Sequence, residues 1–262
     1  MISSDKNEAL FLQKITEKCN KAIETCSPYF TDFLDGRSKA AALEVAKGYS
    51  GQIMCISFGG FENAERVQLG FFSKDVYGYI DDEKELYEMF DVSGVEIKGS
   101  GFCDFEHRDV MGSVLALGIK REVMGDVYLP DKQSAYICMT STCAKYVCES
   151  LDKVARDKVK VNLINADKLP KQDKKFAIIS GTVASDRLDC IVSLCTGTSR
   201  EKAKMMIGAG NVNVNHFEQL RTDAPVVPED IISVRGYGRF ILVEHGGLTK
   251  KGRLKTVVHK MI

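Results

Sequence analysis

Tryptophan is absent, proline occurs 5 times, and neither sign of charge is in excess: 36 basic side chains meet 36 acidic ones in 262 residues. Zero net charge argues against a polyanionic partner only if the balance holds locally, and a chain long enough for two or three domains can hide opposite poles. No apolar run approaches the roughly 18 residues of a membrane helix. The first residues, Met1 to Glu8, are polar and charged, so no signal peptide or membrane association is expected and the protein is placed in the cytoplasm. The 9 cysteines are odd in number and form no C-x-x-C, which favours reduced thiols. Cys138, Cys143 and Cys148 recur every five residues, a step of about 140° on a helix that spreads the sulfurs apart. None of His107, His216, His245 or His259 stands at a ligand spacing from these cysteines, so no metal and no cofactor are expected.

Signatures of nucleotide chemistry are also missing. Gly197-Thr198-Ser199 lacks the G-K-[ST] ending of a phosphate loop, and Gly99-Ser100-Gly101 has no third glycine at the required spacing. His107-Arg108-Asp109 has the first three letters of a kinase catalytic loop, but the asparagine due five residues after the aspartate is Val114. With 44% hydrophobic and 27% charged residues, the chain nevertheless has the composition of a folded globular protein.

Hydrophobic periodicity organises the chain as α+β. Ala9, Leu10, Ile15, Cys19, Ala22, Ile23 and Cys26 predict a helix over 6–25, closed by Ser27-Pro28; a second helix fits 38–46, and strands fit 52–58 and 66–72. These elements make an N-terminal α+β domain over 1–90. From residue 91 to 165 the order becomes strand (92–98), helix (107–117), strand (126–129), strand (135–139), helix (142–154) and strand (159–164). That β-α-β-β-α-β order is the ferredoxin-like plan shared with RRM domains. The aromatic K/R-G-F/Y-G/A-F-V-x-F/Y strand that stacks bases in an RRM is missing, so the plan is expected without ordinary RRM readout. Residues 166–182, with Pro170 and many lysines, read as a linker or hairpin.

The last domain, 183–262, begins with a short helix from Arg187 and a second helix whose Thr198 and Glu201 form a capping box and whose end is Gly210. Short strands follow at Val212–Val214, 231–235 and 239–243, so the layout is two small helices on a small sheet. Twelve basic and eight acidic residues give this segment a net +4 and leave −4 for the remainder. Five basic residues and no acid follow position 249, a basic tail. Arg200 and Lys204 lie four apart on one helix face, an arrangement that costs about 0.2–0.5 kcal/mol unless an anion offsets it. Taken alone, that pair reads as a solvated helix face. Arg187 in the same segment, and Arg235 and Arg239 bracketing Gly236-Tyr237-Gly238, shift the balance toward a phosphate-binding end.

Arg187-Leu188-Asp189, Ser199-Arg200 with Ala203, Ile207-x-x-Gly210-x-Val212-x-Val214-Asn215, and Asp230-Ile231-Ile232-Ser233-Val234 resemble the S4-type RNA-binding domain over about fifty residues. His216 and Glu229 stand where that family carries glycine, which puts the turn geometry in question. Farther out, His107-Arg108-Asp109-Val110-Met111-Gly112, Leu117-Gly118-Ile119-Lys120-Arg121-Glu122 and Arg235-Gly236-Tyr237-Gly238-Arg239-Phe240 resemble the YlmH family of bacterial RNA-binding proteins. The resemblance implies an RRM-like middle domain, a C-terminal S4-type domain, and association with the large ribosomal subunit and tRNA in ribosome-associated quality control, with a link to cell division. It implies rRNA or tRNA as partner, no enzymatic activity, no small-molecule substrate and a monomeric chain. Expected RNA contacts are Arg187, Ser199, Arg200, Lys202, Lys204, Arg235, Arg239, Lys250, Lys251 and Arg253, with Arg108, Lys120 and Arg121 as secondary contacts. Two other classes fit less of the chain. An RNA-modifying enzyme of the pseudouridine synthase or methyltransferase type would add catalytic motifs that are missing; a protein-interaction adaptor would use the acidic N-terminal part.

Overall fold

The protein is described by a computed structural model covering residues 2–171 and 176–261. It divides into two compact units, residues 1–172 and 173–262.

In the first unit, helix α1 (Ile2–Thr25) buries Ile15, Cys19 and Ala22, a stripe with steps of four and three, against α2 (Gly36–Lys47) and a sheet. The α2 start is capped by Asp35, whose carboxylate accepts from the Ser38 amide at 2.8 Å. The sheet has the order β1-β3-β2, from β1 (Tyr29–Phe30), β2 (Ile53–Phe58) and β3 (Gln68–Ser73), all antiparallel. Its middle strand β3 is buried throughout. Leu69 and Phe71 face the two helices, while Phe72 packs with Leu86 and Phe90 from the segment carrying the short helices α3 (Lys74–Tyr77) and α4 (Glu83–Tyr87).

The remainder of this unit runs β4 (Val92–Gly99), α5 (His107–Leu115), β5 (Met124–Tyr128), β6 (Ser134–Thr140), α6 (Ser141–Ser150), β7 (Lys153–Val154) and β8 (Asp157–Asn165). Its antiparallel sheet has the order β5-β6-β4-β8-β7, so the expected β-α-β-β-α-β succession is present with one added edge strand. Val95, Ile97, Ala135, Ile137 and Met139 alternate onto one face and bury with Val110 and Val114 of α5 and Ala144 and Val147 of α6. His107 opens α5, and Asp109 takes the Glu106 amide at 3.1 Å, so the kinase-like triplet builds a helix start.

Although 1–90 and 91–165 have separate cores, they form one compact unit rather than two. The reason is a polar seam. Arg66 donates from Nε to the Met124 carbonyl (3.0 Å) and from Nη2 to the carbonyls of Phe33 (2.8 Å) and Arg121 (3.1 Å). Asp126 accepts from the amides of Glu65 (2.6 Å) and Arg66 (3.1 Å). Beside it, Phe33 and Phe61 pack on Cys138, Tyr128 and Tyr136 of the sheet face opposite the helices. Gly60, at φ 78°, leaves no room for a Cβ, which would lie 2.5 Å from the Cys138 sulfur. All nine cysteines are unpaired thiols. Burial pushes the Cys55 and Cys195 thiols up to about 12 and Cys19 to about 11, which keeps them protonated.

In the second unit, one antiparallel sheet of order β11-β10-β12-β13-β14-β9 carries both helices on one face. Its strands are β9 (Phe176–Val183), β10 (Val212–Val214), β11 (Phe217–Glu218), β12 (Ile231–Val234), β13 (Gly238–Leu248) and β14 (Leu254–Met261). Helices α7 (Leu188–Thr196) and α8 (Arg200–Gly208) lie between β9 and β10 in the chain. Two expectations are corrected. The stretch 166–182, read as a linker or hairpin, holds a 3-10 turn (Ala166–Lys168) and most of β9, with 172–175 outside the described residues. The basic tail is a hairpin, with β14 paired to β13 on one side and β9 on the other. Its inward residues Thr256 and Val258 reach the core on alternate positions.

Arg66→Ala would leave three carbonyls across the seam without their charged donor. We expect a loss of about 2 kcal/mol in urea unfolding, with far-UV dichroism unchanged.

Candidate nucleic-acid interface

At the joint between α7 and α8, Arg187 and Arg200 converge on one carboxylate. Gly197 ends α7 at φ 64°, a left-handed cap that turns the chain directly into the next helix. Ser199, rather than Thr198, then caps α8: its Oγ accepts from the Lys202 amide at 3.3 Å. Thr198 is engaged elsewhere, its carbonyl accepting from Ser193 Oγ at 2.6 Å. At the far end, the Asn211 amide donates to the Met206 carbonyl at 3.0 Å and Gly210 takes φ 71°, which closes α8 as the sequence predicts.

Asp189 sits fully buried in the first turn of α7. Arg200 meets its carboxylate with both prongs, Nε to Oδ2 at 3.0 Å and Nη2 to Oδ1 at 3.1 Å, and Arg187 approaches it at 3.3 and 3.4 Å. Burial opposes ionisation, yet the hydrogen bonds from Arg200 and Arg187 prevail and hold the carboxyl below its ordinary 3.8. The Leu188 and Asp189 amides are satisfied by the Ala224 and Thr222 carbonyls, so the loop before β12 closes over the same point. The side chains of Arg187 and Arg200 remain 39% and 43% exposed, so each is both anchored and available at the surface.

Two grooves bear arginines at opposite ends of α8. One, of about 370 Å³, is lined by Arg200, Arg253, Ser193, Cys190 and Thr182, with Arg253 held by the Thr182 carbonyl (2.6 Å) and hydroxyl (3.1 Å). The other, of about 420 Å³, is lined by Gly210, Asn211, Asn213 and Ser233 together with Arg235 and Arg239, which flank the β12–β13 turn. Ten residues of helix and cap separate Arg200 from Gly210, about 15 Å along the axis. On the helix between them Lys202 is exposed and Lys204 pairs with Glu201 at 2.8 Å. Lys250 and Lys251 are exposed in the β13–β14 turn, away from the helix joint in sequence and without a role in either groove lining. Neither lining contains a carboxylate or an imidazole.

The three secondary candidates in the first unit have different surroundings. Arg108 is exposed and paired with Glu106 at 2.9 Å. Lys120 is exposed just before a 3-10 turn (Arg121–Val123). Arg121 points into the seam, donating to the carbonyls of Met124 (3.2 Å) and Gly125 (2.9 Å). Burial first, and then the nearby Arg66, lower its pKa, which marks it as a strut rather than an outward contact. What sequence reasoning missed is Asp189 itself: the Arg-Leu-Asp triplet identified it, but nothing in the spacing said that its carboxylate would bind two of the expected RNA contacts. Among the described residues, no group of three His, Cys, Asp or Glu could hold a metal ion, and no helix is long and apolar enough to cross a membrane.

Residues 86–168 match the family model described as "Putative RNA-binding domain in YlmH". Along 258 residues, 97% of this chain and 96% of the relative, the sequence is 27% identical to the "Ribosome-associated protein quality control protein P2" of Bacillus subtilis (strain 168). The solved structure of "Cell division protein ylmH from Streptococcus pneumoniae" superposes with a TM-score of 0.50 at 22% identity, covering 63% of this chain and 95% of that one, a likeness of fold.

Asp189→Asn would leave two cations facing a neutral amide. We expect a loss of about 2 kcal/mol at pH 7, kept below the figure for an enclosed pair because both arginines reach solvent. Because the folded carboxyl ionises below 3.8, its contribution is present above that value and is lost as pH falls through the lowered one. Wild type and variant should therefore converge in urea unfolding at the acid end of the range.

Proposed function

We propose that this chain, similar along nearly its whole length to a ribosome-associated quality control protein, is a YlmH-type protein and a non-enzymatic RNA-binding factor of the ribosome. Its S4-type C-terminal unit grips folded rRNA or tRNA on the large subunit during the rescue of stalled translation. One observation carries the reading: two arginine-bearing grooves at the two ends of α8, with Lys202 exposed between them. Fixed guanidinium groups spaced along a surface, with glycines where a backbone can come close, suit phosphates of a structured RNA. Catalysis has little support in these grooves, since they hold no carboxylate or imidazole to move a proton.

Arg200 is unsuited to a charge-reversal test, because a glutamate there would face the buried Asp189. Lys202→Glu combined with Arg235→Glu avoids that joint. We expect the pair to weaken binding to isolated large ribosomal subunits and to tRNA by at least about tenfold, and to make the logarithmic salt dependence shallower by about 2. Unchanged affinity and slope in a variant with wild-type dichroism would overturn the reading.

A further inference from the structure

We propose that the middle sheet carries a second RNA site, a strip of lysines on β4, β8 and β7 that holds the phosphates of a single-stranded segment; this deepens the RNA-binding reading and rests on it. The residues are Lys98, Lys153, Lys158 and Lys160. Lys98 pairs directly across the ladder with Lys160, and Lys153 with Lys158. Directly paired residues share a face, as do residues two apart on one strand, so all four lysines project from the face opposite α5 and α6. All four are exposed. Like charges set directly opposite each other oppose folding. Glu96 offsets part of the Lys98–Lys160 pair, water and salt screen the exposed lysines, and a polyanion laid along the strip would offset both pairs directly.

Counter-charge on this face is already committed. Glu96, the carboxylate in the next row, is held by Lys98 (2.8 Å), Tyr136 (3.0 Å) and Asn162 (3.0 Å). Asp157 alternates to the other face, buried, and takes the amides of Ser100 (3.0 Å) and Gly101 (3.2 Å) and the Ser100 hydroxyl. Lys153, Lys158 and Lys160 form no ion pair among the described residues, and Arg156 in the β7–β8 turn adds a positive charge beside the exposed Asp152. Successive lysines on β8 stand about 7 Å apart, of the order of one nucleotide step in an extended strand.

The RRM-type positions at the centre of the same face are unavailable, since Glu96 occupies one and Phe33 and Phe61 cover Tyr128, Tyr136 and Cys138. The strip therefore replaces, at the sheet edge, what an RRM presents in the middle.

The test uses the full chain, a fluorescein-labelled oligouridylate and labelled tRNA. Lys158→Glu with Lys160→Glu turns both like-charge pairs into opposite-charge pairs, so the melting temperature should stay level or rise while oligouridylate affinity falls by at least about tenfold and its salt slope becomes shallower by about 1.4. Unchanged oligouridylate binding in the double variant, or no oligouridylate binding by the wild type, overturns the strip. An effect of the double variant only on a co-purifying protein, with both RNA probes unaffected, also overturns it, in favour of an acidic protein partner. The Lys202→Glu, Arg235→Glu variant, read with tRNA in the same assay, reports independently on the C-terminal grooves, so either reading can fail alone.

Discussion

A single buried carboxylate holds the C-terminal unit together at the place where it is most charged. Asp189 has no water to solvate it, and an unpaired carboxylate in that position would cost several kcal/mol. Arg200 from the start of α8 and Arg187 from just before α7 supply the pairing, while the loop ahead of β12 supplies carbonyls to the neighbouring amides. Residues 187–189, 200 and 222–224 thus meet at one ion cluster. A guanidinium is the cation suited to this task, because it carries five N–H donors in a rigid fork and needs only two of them for the carboxylate. Its remaining donors stay toward the groove shared with Arg253. Anchoring and presentation are therefore the same interaction, and a lysine at position 200 would fulfil neither.

The seam of the first unit follows the same logic with backbone in place of a carboxylate. Arg66 gathers carbonyls from Phe33, Arg121 and Met124, and Asp126 answers with two amides, so the N-terminal sheet is fixed to the middle one by polar groups that would otherwise be left unpaired. Phe33 and Phe61 then cover the centre of the middle sheet's free face. This explains in physical terms why an RRM-like plan can lack the RRM aromatic strand: the positions where bases would stack are already filled by the protein's own rings.

Much of this was legible from residue order alone. The stripe Ile15, Cys19, Ala22 declared α1, and the alternation Val95, Ile97 and Ala135, Ile137, Met139 declared the middle sheet, because one buried face imposes a period of 3.6 or 2. The α8 start and stop were also readable to within a residue, Ser199 taking the cap expected of Thr198, whose hydroxyl meets that of Thr196. Elements whose identity depends on distant partners were not readable. β9 and β14 are strands because each completes the other's ladder across about 75 residues of chain, and polar residues interrupt the apolar ones in both, which leaves a weak alternation. Side-chain direction was likewise hidden: Arg121 looked like a surface cation until the carbonyls of Met124 and Gly125 turned it inward.

Zero net charge, finally, conceals segregation finer than whole domains. The C-terminal segment carries +4, yet the residues before it, at −4 in total, include four lysines brought onto one face of one sheet by strand register. Charge counting along the chain finds the first and cannot find the second, since Lys98 and Lys160 become neighbours only through pairing. A balanced net charge therefore sets no bound on how basic a single face can be, because strand register, and not residue count, decides which charges share it.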